Sequence, residues 1–410
     1  MMTLSEELAW RGFVNQTTFK DVSELDDQKR TFYWGVDPSA PSMQIGNLAA
    51  AMMARVFIKH GYTPVLLVGG ATGLIGDPDG KAQERDLKTP EEITRNKAGL
   101  AAQYERIFDG LKFEVVDNYD WFKDMNYLDF LRDIGKHVPM RQMLARDFVQ
   151  SRLGEDGAGI SYAEFSYSLI QGYDFLWLAE NKGVTLQLSG ADQWGNSVTG
   201  VDLIRRKTGK EAHVWTGPLI VNKATGVKFG KTEGGAIWLD PELTSPYQFY
   251  QFWLNVDDDG VLDYLKIYTT LDKEAVDSAA KDFEQDKASR SAQKLLAYEV
   301  TKLVHGLEKA DAVVHATEAL FGSGDLSDSD IAVLRTELPV VKASEDVYDV
   351  LVSAGLASSK SEARQFVSGG AISVNGQKIN TEMANPFTNP VNLTKRGKNT
   401  FALVEQWAIR

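Results

Sequence analysis

The sequence predicts an α/β protein with a parallel-sheet domain first, an all-helical domain second and a small α+β module at the C-terminal end. Three features indicate this order: a strand–helix–strand pattern over residues 31–70, helical periodicity over residues 245–321, and a polar, turn-rich segment at residues 322–330. We therefore expect a first domain at residues 1–230, a helical domain at 231–325, a linker at 326–344 and a C-terminal domain at 345–410.

The first domain begins with a βαβ unit. Residues 31–36 (TFYWGV) are aromatic and branched, as in a buried strand, and residues 48–60 favour a helix that ends at Gly61. Residues 64–70 (PVLLVGG) form an uninterrupted apolar strand, which is typical of a parallel sheet covered on both faces. Further helices are predicted at residues 128–146, 164–181 and 198–207, with a strand at 184–189.

The composition is that of a globular protein without membrane spans or a protein-bound metal. Of 410 residues, 43% are hydrophobic, but no apolar run reaches the ~18–20 residues needed to cross a bilayer. The N-terminal residues include Glu6 and Glu7 and do not resemble a signal peptide, so we expect a cytoplasmic location. Cysteine is absent and none of the five histidines is spaced as a ligand pair, so the sequence predicts neither disulfides nor a metal centre.

The net charge of −13 is distributed unevenly along the chain. Residues 357–410 carry a net charge of +4, which leaves −17 for the remainder. A basic segment on an acidic body is expected where one end of a protein contacts RNA, although ordinary surface scatter would give the same balance. The predicted RNA-binding residues of this segment are Lys360, Arg364, Lys395, Arg396 and Lys398.

A glycine-rich segment follows the second predicted strand. Residues 69–81 (GGATGLIGDPDGK) fit neither the dinucleotide-binding G-x-G-x-x-G pattern nor the P-loop pattern, which argues against a dehydrogenase or a P-loop enzyme. The segment predicts either a loop whose backbone approaches a ligand closely or a simple tight turn. Asp77, Lys81 and Arg85 lie at its far end.

Two other segments together predict a triphosphate site. Residues 37–48 (DPSAPSMQIGNL) run into the start of the first long helix, where free N–H groups and the positive end of the dipole attract anions, and Gln44 and Asn47 can add amide donors. Residues 228–232 (KFGKT) form a glycine-containing loop in which Lys228 and Lys231 can neutralise the charge of a leaving pyrophosphate. Alone, such a lysine loop is common on protein surfaces; paired with the helix start, it indicates nucleotide chemistry.

A polar face on the helix predicted at residues 164–181 indicates a second part of the site. Tyr167, Gln171 and Asp174 are spaced at i, i+4 and i+7, which places them on one face of the helix. Such a face points either at a polar ligand or into an internal hydrogen-bond network. From residue type alone, Asp77 would serve equally well as a helix cap and Tyr33 as a core residue.

The sequence resembles the class I aminoacyl-tRNA synthetases, and among them the bacterial tyrosyl-tRNA synthetases. Gln44 to Asn47 (QIGN) stand where that family has its HIGH signature, and KFGKT resembles its KMSKS loop. The more specific matches are residues 33–38 (YWGVDP), 69–78 (GGATGLIGDP), 164–167 (EFSY), 171–175 (QGYDF), 192–196 (DQWGN), 244–253 (TSPYQFYQFW) and 300–306 (VTKLVHG). Residues 359–376 resemble an RNA-binding module shared with a ribosomal protein, so the resemblance spans nearly the full length.

The resemblance implies a Rossmann-like catalytic domain that activates L-tyrosine with ATP and Mg²⁺ and then charges tRNA(Tyr), in a homodimer with residues 129–146 near the interface. It implies that the phenol hydroxyl contacts Tyr33 and Asp174, and that the ammonium group contacts Asp77, Tyr167 and Gln171. It places Asp37 and Gln193 at the reacting centre and Asp192 on the adenylate ribose, and it assigns Gly46 to ATP binding as well. The residues implied around the phosphates are Gln44, Asn47, Lys81, Arg85, Lys228 and Lys231.

The chain departs from the family pattern at one point, since Gln44 and Asn47 replace the two histidines of HIGH. Glutamine and asparagine keep neutral N–H donors but cannot become cationic. Two alternatives remain at this stage: a tryptophanyl-tRNA synthetase, which shares the fold, and a non-enzymatic RNA-binding paralogue. The pair Tyr33 and Asp174 favours a phenol over an indole, and the retained Asp77, Asp192 and KFGKT favour an enzyme.

Overall fold

The structure is a computed structural model of the chain. It describes residues 2–78, 87–154, 157–223, 225–232, 235–321, 326–381, 385–397 and 400–406. The chain divides into two compact units, the first built from Met1–Thr244 with Trp253–Val304 and the second from Ser245–Phe252 with His305–Arg410. No helix in the described ranges is long and apolar enough to span a bilayer.

The first unit contains a five-stranded parallel sheet in the order β3-β2-β1-β4-β5. Its strands are β1 (Thr31–Val36), β2 (Thr63–Val68), β3 (Glu114–Asp117), β4 (Val184–Gly190) and β5 (His213–Gly217). A two-stranded ribbon, β6 (Lys231–Thr232) with β7 (Gly235–Ala236), follows. The strand order reverses between β1 and β4, and ligands bind at such a switch point, outside the carboxyl ends of the strands.

The helices flank this sheet and continue beyond it. In chain order they are α1 (Leu4–Arg11), α2 (Glu24–Asp27), α3 (Ile45–Lys59), α4 (Thr72–Ile75), α5 (Pro90–Ile107), α6 (Tyr119–Phe122), α7 (Tyr127–Asp133), α8 (Met140–Leu144), α9 (Asp147–Leu153), α10 (Tyr162–Lys182), α11 (Trp194–Thr208), α12 (Pro246–Leu254), α13 (Asp258–Tyr268), α14 (Lys273–Gln285), α15 (Ser291–His305), α16 (Leu307–Phe321), α17 (Asp328–Glu337), α18 (Val347–Ser353) and α19 (Lys360–Ser368). Short 3₁₀ turns lie at Gly135–His137, Ala191–Gln193 and Lys287–Ser289.

The predicted βαβ unit is confirmed, with β1 over the expected residues, and residues 245–321 are helical as predicted. The helix predicted at 128–146 is wrong, because the chain there forms α7, a 3₁₀ turn and α8. Pro139 stands directly before α8 and lacks the N–H that a continuous helix needs. Helix α3 begins at Ile45, earlier than the predicted residue 48, with Gln44 as its N-terminal cap.

The second unit contains its own five-stranded sheet in the order β10-β9-β11-β12-β8. The strands are β8 (Val340–Lys342), β9 (Ile372–Val374), β10 (Gln377–Lys378), β11 (Val391–Arg396) and β12 (Thr400–Glu405). Residues 326–344, expected as a linker, instead contain α17 and β8, and β8 pairs in parallel with β12. Apolar burial explains the difference, since Leu334 of α17 packs with Phe401 and Leu403 of β12.

Candidate active site

A cavity of about 330 Å³ opens at the switch point of the first sheet. Its walls come from the carboxyl ends of β1 and β4, the N-terminal end of α3, the inner face of α10 and residues 217–220 and 228–229. The cavity therefore brings together segments that are far apart in the sequence, and both QIGN and the first two residues of KFGKT contribute to its wall.

Tyr33 and Asp174 form the deep end of the cavity, and both are buried. The Asp174 carboxylate accepts hydrogen bonds from Trp121 Nε1 at 2.9 Å and Asn118 Nδ2 at 3.1 Å. Burial nevertheless raises the pKa of Asp174 to about 8, with the charges of Asp37 and Asp117 adding to the rise. The Tyr33 hydroxyl is buried without a hydrogen-bond partner among the described residues, next to that carboxylate. A ligand hydroxyl here would gain both an acceptor and a donor.

Asp37, directly after β1, is the centre of a second group. Its carboxylate accepts hydrogen bonds from Tyr167 Oη at 2.7 Å and from Thr72 Oγ1 at 2.6 Å. Burial and the neighbouring charges of Asp37 and Asp77 raise the pKa of the Tyr167 hydroxyl far above its usual range. A Cβ at Gly69 would lie 2.1 Å from Asp37 Oδ1, so only glycine lets the loop after β2 approach this carboxylate.

The predicted ammonium-binding residues lie beside this group. Gln193 Nε2 donates to Asp77 Oδ2 at 2.6 Å, and Asn196 Nδ2 donates to Gln193 Oε1 at 3.1 Å. The side-chain oxygen of Gln171 is buried without a partner among the described residues. The polar face of α10 is thus directed at the cavity, together with carboxylates that would attract a cation.

The N-terminal end of α3 forms the opposite end of the cavity. Asn47 Oδ1 accepts a hydrogen bond from the Gln44 backbone N–H at 3.0 Å, which orients the Asn47 side chain at the first turn. Gly46 is open, since an added Cβ would meet no atom within 4 Å. Amide donors and the positive end of a helix are therefore presented to the cavity, as an anion requires.

The lysine loop contacts this helix end directly. Ile45 donates its backbone N–H to Ile237 at 3.2 Å, and Ile237 donates to Gly230 at 3.1 Å. Gly230 has φ +88°, and a Cβ there would lie 2.4 Å from Ile45 Cγ1. Lys228 is half exposed, with its Nζ 3.8 Å from Asp192 Oδ2. The side chain of Lys231, and Lys81 and Arg85, lie outside the described part of the chain.

Four residues of the site were missed from the sequence: Thr72, Asn118, Trp121 and Gln187. Asn118 and Trp121 follow β3, and no motif marks them; they reach Asp174 because β3 lies at the edge of the sheet next to β2. Gln187 had a signal, since it is the one amide in the strand VTLQLSG. Its buried side-chain oxygen has no partner among the described residues, and it lines the cavity.

The basic residues predicted to bind RNA lie in the second unit. Lys360 pairs with Asp346 and Asp349, and Arg364 lies over the ring of Tyr348. Lys395 lies over two phenylalanine rings, and Arg396 over the ring of Phe366. Part of this positive charge is therefore engaged within the unit. Lys398 lies outside the described residues.

Two family models match the chain. Residues 25–322 match the class I tRNA synthetases of the tryptophan and tyrosine type, and residues 330–404 match the C-terminal domain of tyrosine–tRNA ligases. Tyrosine–tRNA ligase 2 of Bacillus cereus is 43% identical over 98% of this chain and its own full length. The chain belongs to the tyrosine–tRNA ligase family. The tyrosine–tRNA ligase of Bacillus caldotenax, 46% identical over 92% of both chains, agrees with this assignment.

Solved structures of tyrosyl-tRNA synthetases have the same fold as this chain. A C-terminally truncated mitochondrial tyrosyl-tRNA synthetase of Aspergillus nidulans is 30% identical, with a TM-score of 0.70 over 78% of this chain and 95% of its own. A tryptophanyl-tRNA synthetase of Plasmodium falciparum has a TM-score of 0.55 at 16% identity, over 80% of this chain and 86% of its own, and so shares the fold alone. The tyrosine–tRNA ligase relatives exclude the tryptophanyl alternative, and the chain is an enzyme of class I.

Proposed function

We propose that the cavity binds L-tyrosine and MgATP, forms tyrosyl-adenylate and pyrophosphate, and then delivers tyrosine to the 3′ end of tRNA(Tyr). The observation that carries this proposal is the buried, unpartnered hydroxyl of Tyr33 beside the Asp174 carboxylate. A phenol satisfies both groups at once, whereas phenylalanine or tryptophan leaves buried polar groups without partners, which costs about 1–3 kcal/mol each.

The amino-acid end of the cavity orients the nucleophile. With the phenol at Tyr33 and Asp174, the ammonium group lies near Asp77, Tyr167 and Gln171, and the carboxylate of tyrosine faces the reacting centre near Asp37 and Gln193. One carboxylate oxygen of tyrosine bonds to the α-phosphorus of ATP, and the bond from that phosphorus to the bridging oxygen breaks, so that pyrophosphate leaves. The reaction needs no protein nucleophile, and holding the two reactants in line supplies much of the rate.

The phosphate end stabilises the charge that moves to pyrophosphate. Gln44 and Asn47 donate N–H groups from the start of α3, Lys228 and Lys231 supply cations from the loop, and Lys81 and Arg85 complete this set. Mg²⁺ arrives on ATP and is part of the substrate. Asp192 accepts hydrogen bonds from the ribose hydroxyls. Gly46 has no side chain, so the nucleotide can approach the backbone of α3 closely at this residue.

Amino-acid-dependent ATP–pyrophosphate exchange tests this proposal. The full-length protein is assayed separately with tyrosine, phenylalanine and tryptophan at equal concentrations. We expect exchange with tyrosine and a rate with the other two that is lower by orders of magnitude. Exchange with tryptophan in preference to tyrosine, or exchange with none of the three, would overturn the assignment of the pocket.

The tail contributes to the second half-reaction. Arg364 on α19 is exposed, and together with Lys360, Lys395, Arg396 and Lys398 it belongs to residues 357–410, whose net charge of +4 contrasts with the acidic remainder of the chain. Phosphate contacts of this kind supply sequence-independent RNA affinity that falls with salt. Aminoacylation of tRNA(Tyr), measured as a function of salt beside the exchange reaction, tests this role.

We also propose that the enzyme is a cytoplasmic homodimer that pairs through α7–α10. Large apolar side chains are exposed there, including Leu128 at 71%, Tyr162 at 62% and Met140 at 57%. A cluster of this kind is typical of an interface. In sedimentation at micromolar concentration we expect a dimer for the wild type and a monomer for Leu128→Asp. Leu307→Asp, at an exposed leucine in the second unit, is the control and should remain a dimer.

A further inference from the structure

The phenylalanine of the lysine loop is anchored in an aromatic cluster, although its neighbour Lys228 is half exposed. Phe229 is only 6% exposed, and its ring stacks on Tyr264 of α13 with 4.3 Å between centroids and 27° between planes. Trp253 and Tyr268 complete the cluster at 5.6 and 5.8 Å. One residue of KFGKT is therefore held by α13 while the residue before it faces the cavity.

Tyr264 contacts both sides of the hairpin that carries this loop. Phe229 donates its backbone N–H to Ile220 at 2.9 Å, and Val221 pairs with Lys228 across the hairpin. The Tyr264 hydroxyl donates to the Val221 carbonyl at 3.3 Å while its ring stacks on Phe229. A single side chain of α13 thus fixes the two strands that lead to and from Lys228.

Charged and polar contacts from the same helix repeat this arrangement. Asp263 pairs with Lys223 of the hairpin, and this pairing helps to keep the pKa of Asp263 below its usual value. Asp257, the N-terminal cap of α13, accepts a hydrogen bond from Asn222 Nδ2 at 3.1 Å. The hairpin is therefore attached to α13 through three side chains, Asp257 at the start of the helix and the adjacent Asp263 and Tyr264 further along it.

The ring of Tyr264 lies in a space that Gly260 leaves open. Both residues are on α13, one turn apart, and a Cβ at Gly260 would lie 2.6 Å from Cε2 of Tyr264. Gly260 does not have a positive φ, so the backbone conformation does not require glycine here. The ring position is what requires glycine at residue 260.

We propose that Tyr264 is a positioning residue for adenylate formation: it sets the place of Lys228 relative to the ATP phosphates through Phe229. The inference rests on the proposed role of the lysine loop. Its physical basis is that stabilisation of a leaving phosphate depends steeply on where the cation stands, and a displacement of about 1 Å can cost roughly 10²-fold in rate. Tyr264 itself does not line the cavity, whereas Phe229, on which it stacks, does.

Rate and affinity are measured on the full-length protein in three variants. Tyr264→Leu removes the stacked ring and the hydroxyl, and we expect the tyrosine-dependent exchange rate to fall roughly 10²-fold while the Kd for tyrosine stays within twofold. Tyr264→Phe keeps the stack and should restore the rate to within about threefold of the wild type. Tyr62→Leu is the matched control, because Tyr62 also packs on a phenylalanine and donates to a backbone carbonyl, but far from the loop.

Gly260→Ala separates positioning from stability. Alanine in a helix is about 1 kcal/mol more favourable than glycine, which offsets part of the cost of moving the Tyr264 ring, and a merely structural site would keep its exchange rate whatever the change in stability. We expect instead that the exchange rate falls at least tenfold, with the tyrosine Kd unchanged, because the new Cβ displaces the Tyr264 ring. This variant decides the matter if Tyr264→Leu does not fold.

The outcomes divide clearly. A wild-type rate in Gly260→Ala and Tyr264→Leu, or an equal loss in tyrosine affinity, overturns the positioning role and leaves the proposed function intact. Absence of tyrosine-dependent exchange in the wild type overturns the proposed function itself. A Tyr62→Leu variant as slow as Tyr264→Leu would also overturn the inference, because any damage to the core would then have the same effect.

Discussion

The two ends of the active-site cavity are built differently. At the tyrosine end, Asp174 is buried and held by two donors, Asn118 and Trp121. At the phosphate end, Lys228 is half exposed and its closest carboxylate, that of Asp192, is 3.8 Å away. In the proposed function this difference corresponds to two tasks: the preorganised pocket would select the substrate in the ground state, whereas the loosely held cations would act when charge moves to the leaving group.

The contact between Gly230 and Ile45 gives the largest expected effect on the phosphate end. Gly230→Ala places a Cβ 2.4 Å from Ile45 Cγ1 and forces a residue other than glycine into φ +88°. We expect the exchange rate to fall about 10²-fold or more and the tyrosine Kd to change little, because the loop moves off α3 while the deep pocket stays intact.

Gly226→Ala is the control for Gly230→Ala. Gly226 lies in the same hairpin with φ +69°, but an added Cβ meets nothing within 4 Å. It therefore carries the backbone strain, about 1 kcal/mol, without the collision. Equal losses of exchange rate in the two variants would show that backbone strain in the hairpin, and not the contact of Gly230 with Ile45, governs the rate.

Tyr33→Phe tests the tyrosine end. In contrast to Gly230→Ala, it should change the recognition of tyrosine. The Tyr33 hydroxyl has no partner among the described residues, so its removal should raise the free energy of unfolding of the tyrosine-free protein by about 1 kcal/mol. It should also lower kcat/KM for tyrosine roughly tenfold, because the substrate phenol loses a donor. Tyr104→Phe is the control, since Tyr104 donates to the Leu67 carbonyl and should lose stability with unchanged tyrosine affinity.

The raised pKa of Asp174 predicts a proton effect at the tyrosine end alone. A carboxyl with a pKa of about 8 is mostly protonated at pH 7, and the phenol binds best to the ionised form. Tyrosine binding at pH 7 should therefore release close to one proton, and affinity should rise by roughly 20-fold from pH 6.5 to 8.5. Calorimetry in buffers of different ionisation enthalpy measures the proton. Binding without proton release would mean that Asp174 stays protonated.

The same pKa has a consequence for stability. Because the folded-state pKa lies above the ordinary value of 3.8, the folded protein binds more protons than the unfolded chain between about pH 4 and 8. The cost of burying the ionised Asp174 carboxylate therefore grows towards the upper end of this range. The free energy of unfolding falls as the pH rises from about 4 to 8. Saturating tyrosine should reduce this dependence.

A substitution outside both ends gives the smallest effect on the cavity. Arg364→Ala should leave pyrophosphate exchange unchanged, weaken tRNA binding severalfold and reduce the slope of log affinity against log salt by about one, as expected for one lost phosphate contact. Lys360 is paired with Asp346 and Asp349, so Lys360→Ala should reduce that slope less. A loss of exchange in Arg364→Ala would show that the second unit influences the adenylate site.

The sequence predicted the tyrosine end better than its surroundings. Tyr33, Asp174 and Gln171 were identified from a polar face and a resemblance, and all three line the cavity. Asn118 and Trp121 could not be found in this way, because their position depends on β3 lying at the edge of the sheet. Residues 326–344 were expected as a linker because the segment at 322–330 is polar and turn-rich, but the buried Leu334, with Val333 and Leu338 beside it, packs them into the second unit.

At the phosphate end the sequence identified residue types but not their arrangement. Both QIGN and KFGKT were recognised, yet the contact of Gly230 with Ile45 and the stacking of Phe229 on Tyr264 join residues that no periodicity relates. The start of α3 was predicted three residues late, because the cap depends on the hydrogen bond that the Gln44 backbone N–H donates to Asn47 Oδ1 and not on helix propensity.

Rapid-quench measurement of tyrosyl-adenylate formation by Lys228→Ala, over a range of tyrosine concentrations at saturating MgATP, tests the difference between the two ends most directly. One experiment yields both the maximal rate and the tyrosine concentration at half-saturation, with Lys273→Ala, at a half-exposed lysine elsewhere in the first unit, as control. We predict a rate roughly 10²-fold below the wild type and a half-saturating concentration within twofold of it. A half-saturating concentration that rises in step with the loss of rate would contradict the account, because Lys228 would then bind the ground state.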